Sequence, residues 1–261
     1  MYFKMGKKLA IVLLVIVVII CIVGVFVIIT DGSEWSDDEI EMMVEEMEEE
    51  ELSVEEPTEA IQDEFIIALN PERDYLMVVN GWHPYEFGSE YDMALKDDLI
   101  YVADSYGTPT LVEKAAYLAF SMMKAELWNE HGISISLYSA YRTYDDQAWV
   151  YENYGEEGKN EVAEPLFSEH HTGLLIDFRV WQHGAEWHKE TLADQLNDCF
   201  YEAIRGKLSK YGFIERYPLG KEDITGISCQ PSEIRFVGSS EIAQEIMDND
   251  WCLEEYRMMH G

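Results

Sequence analysis

The sequence predicts a domain of mixed helices and short strands carried behind a single membrane-spanning helix, and three observations predict it. Residues 9–30 form an apolar run rich in Val, Ile and Leu. Ile133 to Ser139 alternates apolar with polar, while Leu174 to Val180 and Ile234 to Val237 are short apolar runs, the patterns of half-buried and buried strands. Between them, apolar residues recur at helical spacing, as in Leu111, Ala115, Leu118, Met122, Ala125 and Leu127.

As a helix, residues 9–30 would extend about 30 Å, enough to cross a bilayer core. Lys4, Lys7 and Lys8 precede the run and acidic residues follow it. The positive-inside rule then places the basic tail, 1–8, in the cytoplasm and everything beyond the span outside the membrane. The run is long and lacks a small-x-small cleavage site, which favours an uncleaved signal anchor over a removed leader. The residues before Cys21 also lack the small side chains expected beside a lipid-modified cysteine. Segment 31–64 contains no Lys or Arg and includes four consecutive glutamates, Glu48 to Glu51. Such a block repels itself and buries little, so it reads as an extended acidic stalk; capture of cations or basic partners is the functional alternative. The formal net charge of −34 over 261 residues argues against a nucleic-acid partner, which needs clustered Lys and Arg. Cys199, Cys229 and Cys252 lie beyond the span, an odd number that allows one disulfide and one free thiol.

Residues 65–261 form the extracytoplasmic domain. Asn80-Gly81 marks a turn, with His83 beside it as a structural residue. Tyr106 to Pro109 breaks the chain, and a long helix is expected from Thr110 to about Gly132. The strand 133–139 delivers Arg142 to the start of a further helix, where it could hold a carboxylate or a developing oxyanion, or pair with Asp145 or Asp146. Gln147, Trp149 and Tyr151 lie on that helix, and a glycine-rich turn spans 154–158. Residues 181–192 read as an inserted loop, with His183 and His188 close to Trp181 and Trp187. A helix over 196–211, strands at 224–228 and 234–237, and a helix over 240–248 follow, and Leu253 to Tyr256 closes the chain.

The chemistry concentrates in Ser168 to Asp177, S-E-H-H-T-G-L-L-I-D. Gly173 allows a tight turn, so His170 can fold back beside Asp177, which alternation places on the opposite strand face from Leu174 and Ile176. One imidazole and one carboxylate on rigid backbone supply two of the three protein ligands of a catalytic zinc site. A solvated loop with a strand-end Asp is the alternative.

Four segments in this order, S-A-Y-R-T-Y-D-D-Q (Ser139–Gln147), S-E-H-H-T-G-L-L-I-D, R-Y-P-L-G-K (Arg216–Lys221) and I-R-F-V-G (Ile234–Gly238), resemble the zinc-dependent D-alanyl-D-alanine carboxypeptidases and dipeptidases of the VanY and VanX type. The resemblance runs from about Leu69 to Tyr256. It implies an α+β fold, a small antiparallel sheet with flanking helices, and action on peptidoglycan stem peptides at the cell wall. It also implies zinc held by His170, Asp177 and the residue at position 233. Arg142 resembles the group that stabilises substrate carboxylate or oxyanion charge. Ser168 resembles a pocket-lining serine, with Tyr141 and Gln147 as further substrate-binding candidates.

The last motif departs. Where the family has Glu-Pro-Trp-His, this chain has Gln230-Pro231-Ser232-Glu233. An amide cannot act as general base, a function worth on the order of 10²- to 10⁴-fold in rate. Glu233 could replace the third ligand, since zinc accepts carboxylate oxygen, or pair with Arg235 on its own strand face. Leu166 stands where the family has glycine. Three readings follow: a pseudoenzyme that keeps a wall-peptide cleft; a working peptidase in which Glu233 or another carboxylate serves as base and His183 or His188 is recruited as ligand; or an ectodomain whose partner is another protein.

Overall fold

The computed structural model describes residues 67–155, 160–182, 185–187 and 191–261. The expected tail, span and stalk (1–64) lie outside the described residues, as do His183, His188 and most of the 154–158 turn. Among the described residues no helix is long and apolar enough to cross a membrane.

Helix α1 (Glu90–Asp98) starts at Ser89, whose side chain accepts from the Asp92 amide. It runs into a hairpin of β1 (Leu99–Ala103) and β2 (Pro109–Glu113), paired Leu99↔Glu113 through Ala103↔Pro109. The hairpin corrects the expectation of a helix from Thr110. Thr110 and Val112 are β-branched and extended, and helix α2 (Lys114–His131) begins only where the Glu113 carboxylate accepts from the Ala116 amide at 2.6 Å. The buried face of α2 is Ala115, Ala116, Ala119, Phe120, Met123 and Leu127, so the expected stripe is turned and Leu118 is about half exposed. Gly132 ends the helix in the left-handed conformation, φ 66°.

Strand β3 (Ser134–Ser139) leads to α3 (Tyr144–Tyr154). After a 3₁₀ turn at Glu169–Thr172 come β4 (Leu175–Gln182) and the short β5 (Ala185–Glu186). Helices α4 (Leu192–Leu196) and α5 (Cys199–Arg205) precede β6 (Phe213–Glu215). Helix α6 (Glu222–Thr225), β7 (Glu233–Phe236), α7 (Ser240–Asp248) and α8 (Leu253–His260) complete the chain. The main sheet is antiparallel in the order β3-β4-β7-β6, with β5 on β4. The fold is therefore α+β.

Three further expectations are corrected. The helix over 196–211 is broken, because Asp198 caps a new start at the Phe200 amide and the chain turns out of helix after Arg205. Residues 224–228 are no strand: α6 occupies their start and Gly226, at φ 78°, ends it; the strand beside β7 is β6, whose residues are all buried. The expected loop after Trp181 begins as strand and returns as β5. Among the described residues Cys199, Cys229 and Cys252 are free thiols.

Leu174, Ile176 and Phe178 pack with Ile135, Leu137 and the buried face of α2 in the main core. The opposite face carries charge. Glu169, in the 3₁₀ turn, is fully buried; its Oε1 accepts from Arg216 Nε at 2.9 Å and Arg235 Nε at 3.2 Å. Arg216 also donates to both oxygens of Glu254 at 2.8 and 3.1 Å, tying α8 to the same node. Arg235 donates to the carbonyls of Tyr75 and Met77. Arg235 thus belongs to Glu169 and not, as the strand-face argument allowed, to Glu233. Breaking a buried ion pair on one side typically costs about 3–5 kcal/mol. Glu169→Ala is expected to lose that much in urea unfolding, and Glu169→Gln, which keeps an acceptor, less.

Candidate functional site

The turn that carries the imidazole is built locally. The Ser168 hydroxyl accepts from the His170 amide at 3.3 Å, and Gly173, at φ 72°, donates back to the His170 carbonyl at 3.2 Å. A Cβ at Gly173 would lie 3.0 Å from Leu95 Cδ1, so both the backbone angle and the space call for glycine. Leu166, just upstream, keeps a left-handed φ of 74° even though it is not glycine. Such a conformation costs on the order of 1 kcal/mol or more for a residue with a Cβ.

This turn is laced to the segment after β3. The Arg142 amide donates to the His170 carbonyl at 3.2 Å, and His171 Nδ1 donates to the Arg142 carbonyl at 2.7 Å. His170 Nδ1 likewise bonds the Ala140 carbonyl. A carbonyl only accepts, so Nδ1 carries the proton and Nε2 of the neutral ring is a bare acceptor. That Nε2 is buried and has no hydrogen-bond partner. Burial, reinforced by the charge of Arg142, pushes His170 down to about 3, so the ring is neutral at physiological pH.

Opposite it, Asp177 on β4 and Glu233 on β7 are register partners, which places their side chains on one sheet face. Glu233 Oε1 lies 3.9 Å from His170 Nε2. Burial pushes Asp177 up to about 6, against the pull of Arg179. Burial likewise pushes Glu233 up to about 7, with Arg142, Arg179 and Arg216 opposing.

Arg142 donates from Nε to Ser139 Oγ at 3.0 Å and from Nη1 to Gln147 Oε1 at 3.2 Å. It does not pair with Asp145 or Asp146. Asp146 is held in the capping box of α3, where it accepts from the Thr143 amide and hydroxyl. Gln147 is buried and donates from Nε2 to the Ala163 carbonyl at 2.7 Å, so it positions Arg142. Gln230 Nε2 donates to the Glu161 carbonyl at 2.9 Å.

Arg142, Gln147, Ser168, His170, Asp177, Gln230 and Glu233 all line one cavity of about 520 Å³. Tyr141 does not; it packs against Val79, Tyr85, Tyr91 and Leu95 and faces a neighbouring depression. Arg179 also lines the cavity, and sequence reasoning missed it. Its Nη1 donates to Asp177 Oδ1 at 2.6 Å. The i, i+2 spacing on a strand was the available signal, since it places the two residues on one face.

A family model described as VanY, D-alanyl-D-alanine carboxypeptidase, matches residues 109–239. The putative carboxypeptidase YodJ of Bacillus subtilis (strain 168) is 39% identical over 137 residues, covering 49% of this chain and 46% of YodJ. The bifunctional D-Ala-D-Ala dipeptidase and carboxypeptidase VanXYC of Enterococcus gallinarum is 36% identical over 128 residues, 47% of this chain and 65% of VanXYC. The chain thus spans less than two thirds of these relatives. Among solved structures, the LdcB LD-carboxypeptidase, described for its peptidoglycan recognition, is similar with a TM-score of 0.59 and 31% identity, over 70% of this chain and 86% of that one. A vancomycin-resistance D,D-pentapeptidase VanY in complex with Zn(II) is similar with a TM-score of 0.51 and 25% identity, over 70% and 98%.

The residues present do not fit a zinc ion as they stand. His170 and Glu233 are near enough to share one, and the bare Nε2 is a suitable donor. At the third arm one oxygen of Asp177, Oδ1, already accepts from the Arg179 guanidinium at 2.6 Å, which sets a fixed positive charge where a metal ion would bind. Among the described residues no three His, Cys, Asp or Glu side chains are grouped to hold a metal ion.

Gln147→Leu would leave the Ala163 carbonyl and one edge of Arg142 without partners. A loss of about 1–3 kcal/mol is expected in urea unfolding of that variant.

Proposed function

This chain belongs to the VanY family of D-alanyl-D-alanine carboxypeptidases, and we propose that it uses the family cleft to bind peptidoglycan stem peptides with hydrolysis lost or much reduced. The observation that carries this reading is Gln230. At the position where the family resemblance puts the general base stands an amide whose NH₂ is spent on the Glu161 carbonyl. An amide has no basic lone pair to take a proton from water near neutral pH.

What remains suits a receptor for a carboxylate-ended peptide. Arg142 spends Nε and Nη1 on Ser139 and Gln147, which fixes the guanidinium plane and leaves Nη2 for a ligand carboxylate. His170 Nε2 is an acceptor held open for a ligand N–H. Asp177 and Glu233 supply further acceptors, and Ser168 lines the wall. The peptidoglycan recognition described for LdcB supports this ligand class. The apolar run at 9–30 is a signal anchor in this reading, with the acidic 31–64 segment spacing the domain outward into the wall.

The test is calorimetric titration of the full chain, in detergent and with EDTA, by a synthetic stem pentapeptide ending in D-Ala-D-Ala, with free D-Ala assayed separately in the presence of added zinc. Saturable binding without D-Ala release is expected. Arg142→Ala should weaken that binding roughly 10- to 100-fold, the worth of a charge-assisted hydrogen bond. Zinc-dependent release of D-Ala by the wild-type chain would overturn the reading in favour of a working peptidase.

A further inference from the structure

Arg179 has no part in the family resemblance, yet it lines the cleft wall and is held there on several sides. It lies two residues after Asp177 on β4, on the same face, and donates from Nη1 to Asp177 Oδ1 at 2.6 Å and to the Phe178 carbonyl at 3.1 Å. Its Nε faces Glu186 Oε1 on β5 at 3.3 Å. The guanidinium lies over the Tyr138 ring of β3, 3.8 Å from the centroid. Glu186 is itself fixed, since its other oxygen accepts from the Tyr106 hydroxyl at 2.8 Å. Neighbours from three strands and the β1–β2 turn therefore hold one guanidinium against the one carboxylate that a metal site here would need. This is a planar, permanently charged group in a geometry suited to stacking and carboxylate pairing.

We propose that Arg179 is the resident cation of this cleft: its guanidinium occupies the carboxylate of Asp177 in place of a divalent ion, and the cleft is metal-free by construction. Arg142 and Arg179 both line the cavity beside Asp177 and Glu233, so a dication at the Asp177 carboxylate would have to displace, or sit against, a fixed guanidinium. Removing Arg179 reverses this, because it frees Asp177 beside the bare Nε2 of His170 and the carboxylate of Glu233, and zinc accepts one nitrogen and two carboxylate oxygens. The inference gives the proposed binding cleft a metal-independent chemistry and rests on that reading for its purpose. Its test needs no peptide, so the two can fail separately.

Zinc uptake by the full chain is measured by equilibrium dialysis, with His170→Ala giving the background from the acidic 31–64 segment. The wild-type chain and Arg179→Lys should take up no zinc above that background. Arg179→Met, which keeps the stem packed on Tyr138 but drops the charge, should bind one zinc per chain at least about tenfold more tightly than wild type, in the range typical for groups that tune a metal site. Arg179→Gln serves as a second uncharged variant, with a cooperative thermal melt required of each. A wild-type chain that binds one His170-dependent zinc as tightly as the uncharged variants overturns the proposal, and so does a folded uncharged variant that stays zinc-free.

Discussion

Glu169 stands between two buried arginines, and the position of His170 follows from it. The 3₁₀ turn holding both residues has only four positions, so anchoring the first at Arg216 and Arg235 fixes where the imidazole of the second can go. The same two arginines sit on or next to β6 and β7, and Arg216 reaches on to Glu254 in α8. One carboxylate thus registers the turn, two strands and the C-terminal helix against each other. A buried charge cluster is a poor source of net stability, but it tolerates few alternative arrangements. Geometry, more than stability, is what a cleft of this kind requires.

Around that frame the cleft brings opposite charges together. The register pairing of Asp177 with Glu233 brings position 233 to the place where a third arm converges with His170. The side chain delivered there is a carboxylate. In this wall burial acts on Arg142, Asp177 and Glu233. Each carboxyl is pushed above its ordinary range while the arginines pull it back.

Gln230 and Leu166 are each tied to the main chain. The amide of Gln230 donates to the Glu161 carbonyl. Leu166 has a left-handed backbone angle, and its carbonyl accepts from the Tyr85 amide at 2.6 Å, so the loop that shapes the cleft holds its path at some conformational cost.

Much of this was legible in the sequence. The strands at 133–139 and 234–237, the end of α2 at Gly132 and the helix at 240–248 follow from alternation, glycine and helical spacing, which are local properties. So does the fold-back at Gly173, since only a residue without a Cβ suits that angle and that contact with Leu95. The hairpin of β1 and β2, the breaks in the segment after Leu196 and the pairing of β6 with β7 were not legible, because each depends on a partner distant in the chain. The partners of the arginines were hidden for the same reason. Arg142, Arg179 and Arg235 each had a plausible acidic neighbour in sequence, yet Arg142 went to Ser139 and Gln147 and Arg235 to Glu169. Only Arg179 kept a near neighbour, because strand geometry puts positions two apart on one face. The sequence by itself determined which residue types reach the cleft; the tertiary structure decided which charges meet there, since that choice is made by burial and by sheet register, and neither is written in local spacing.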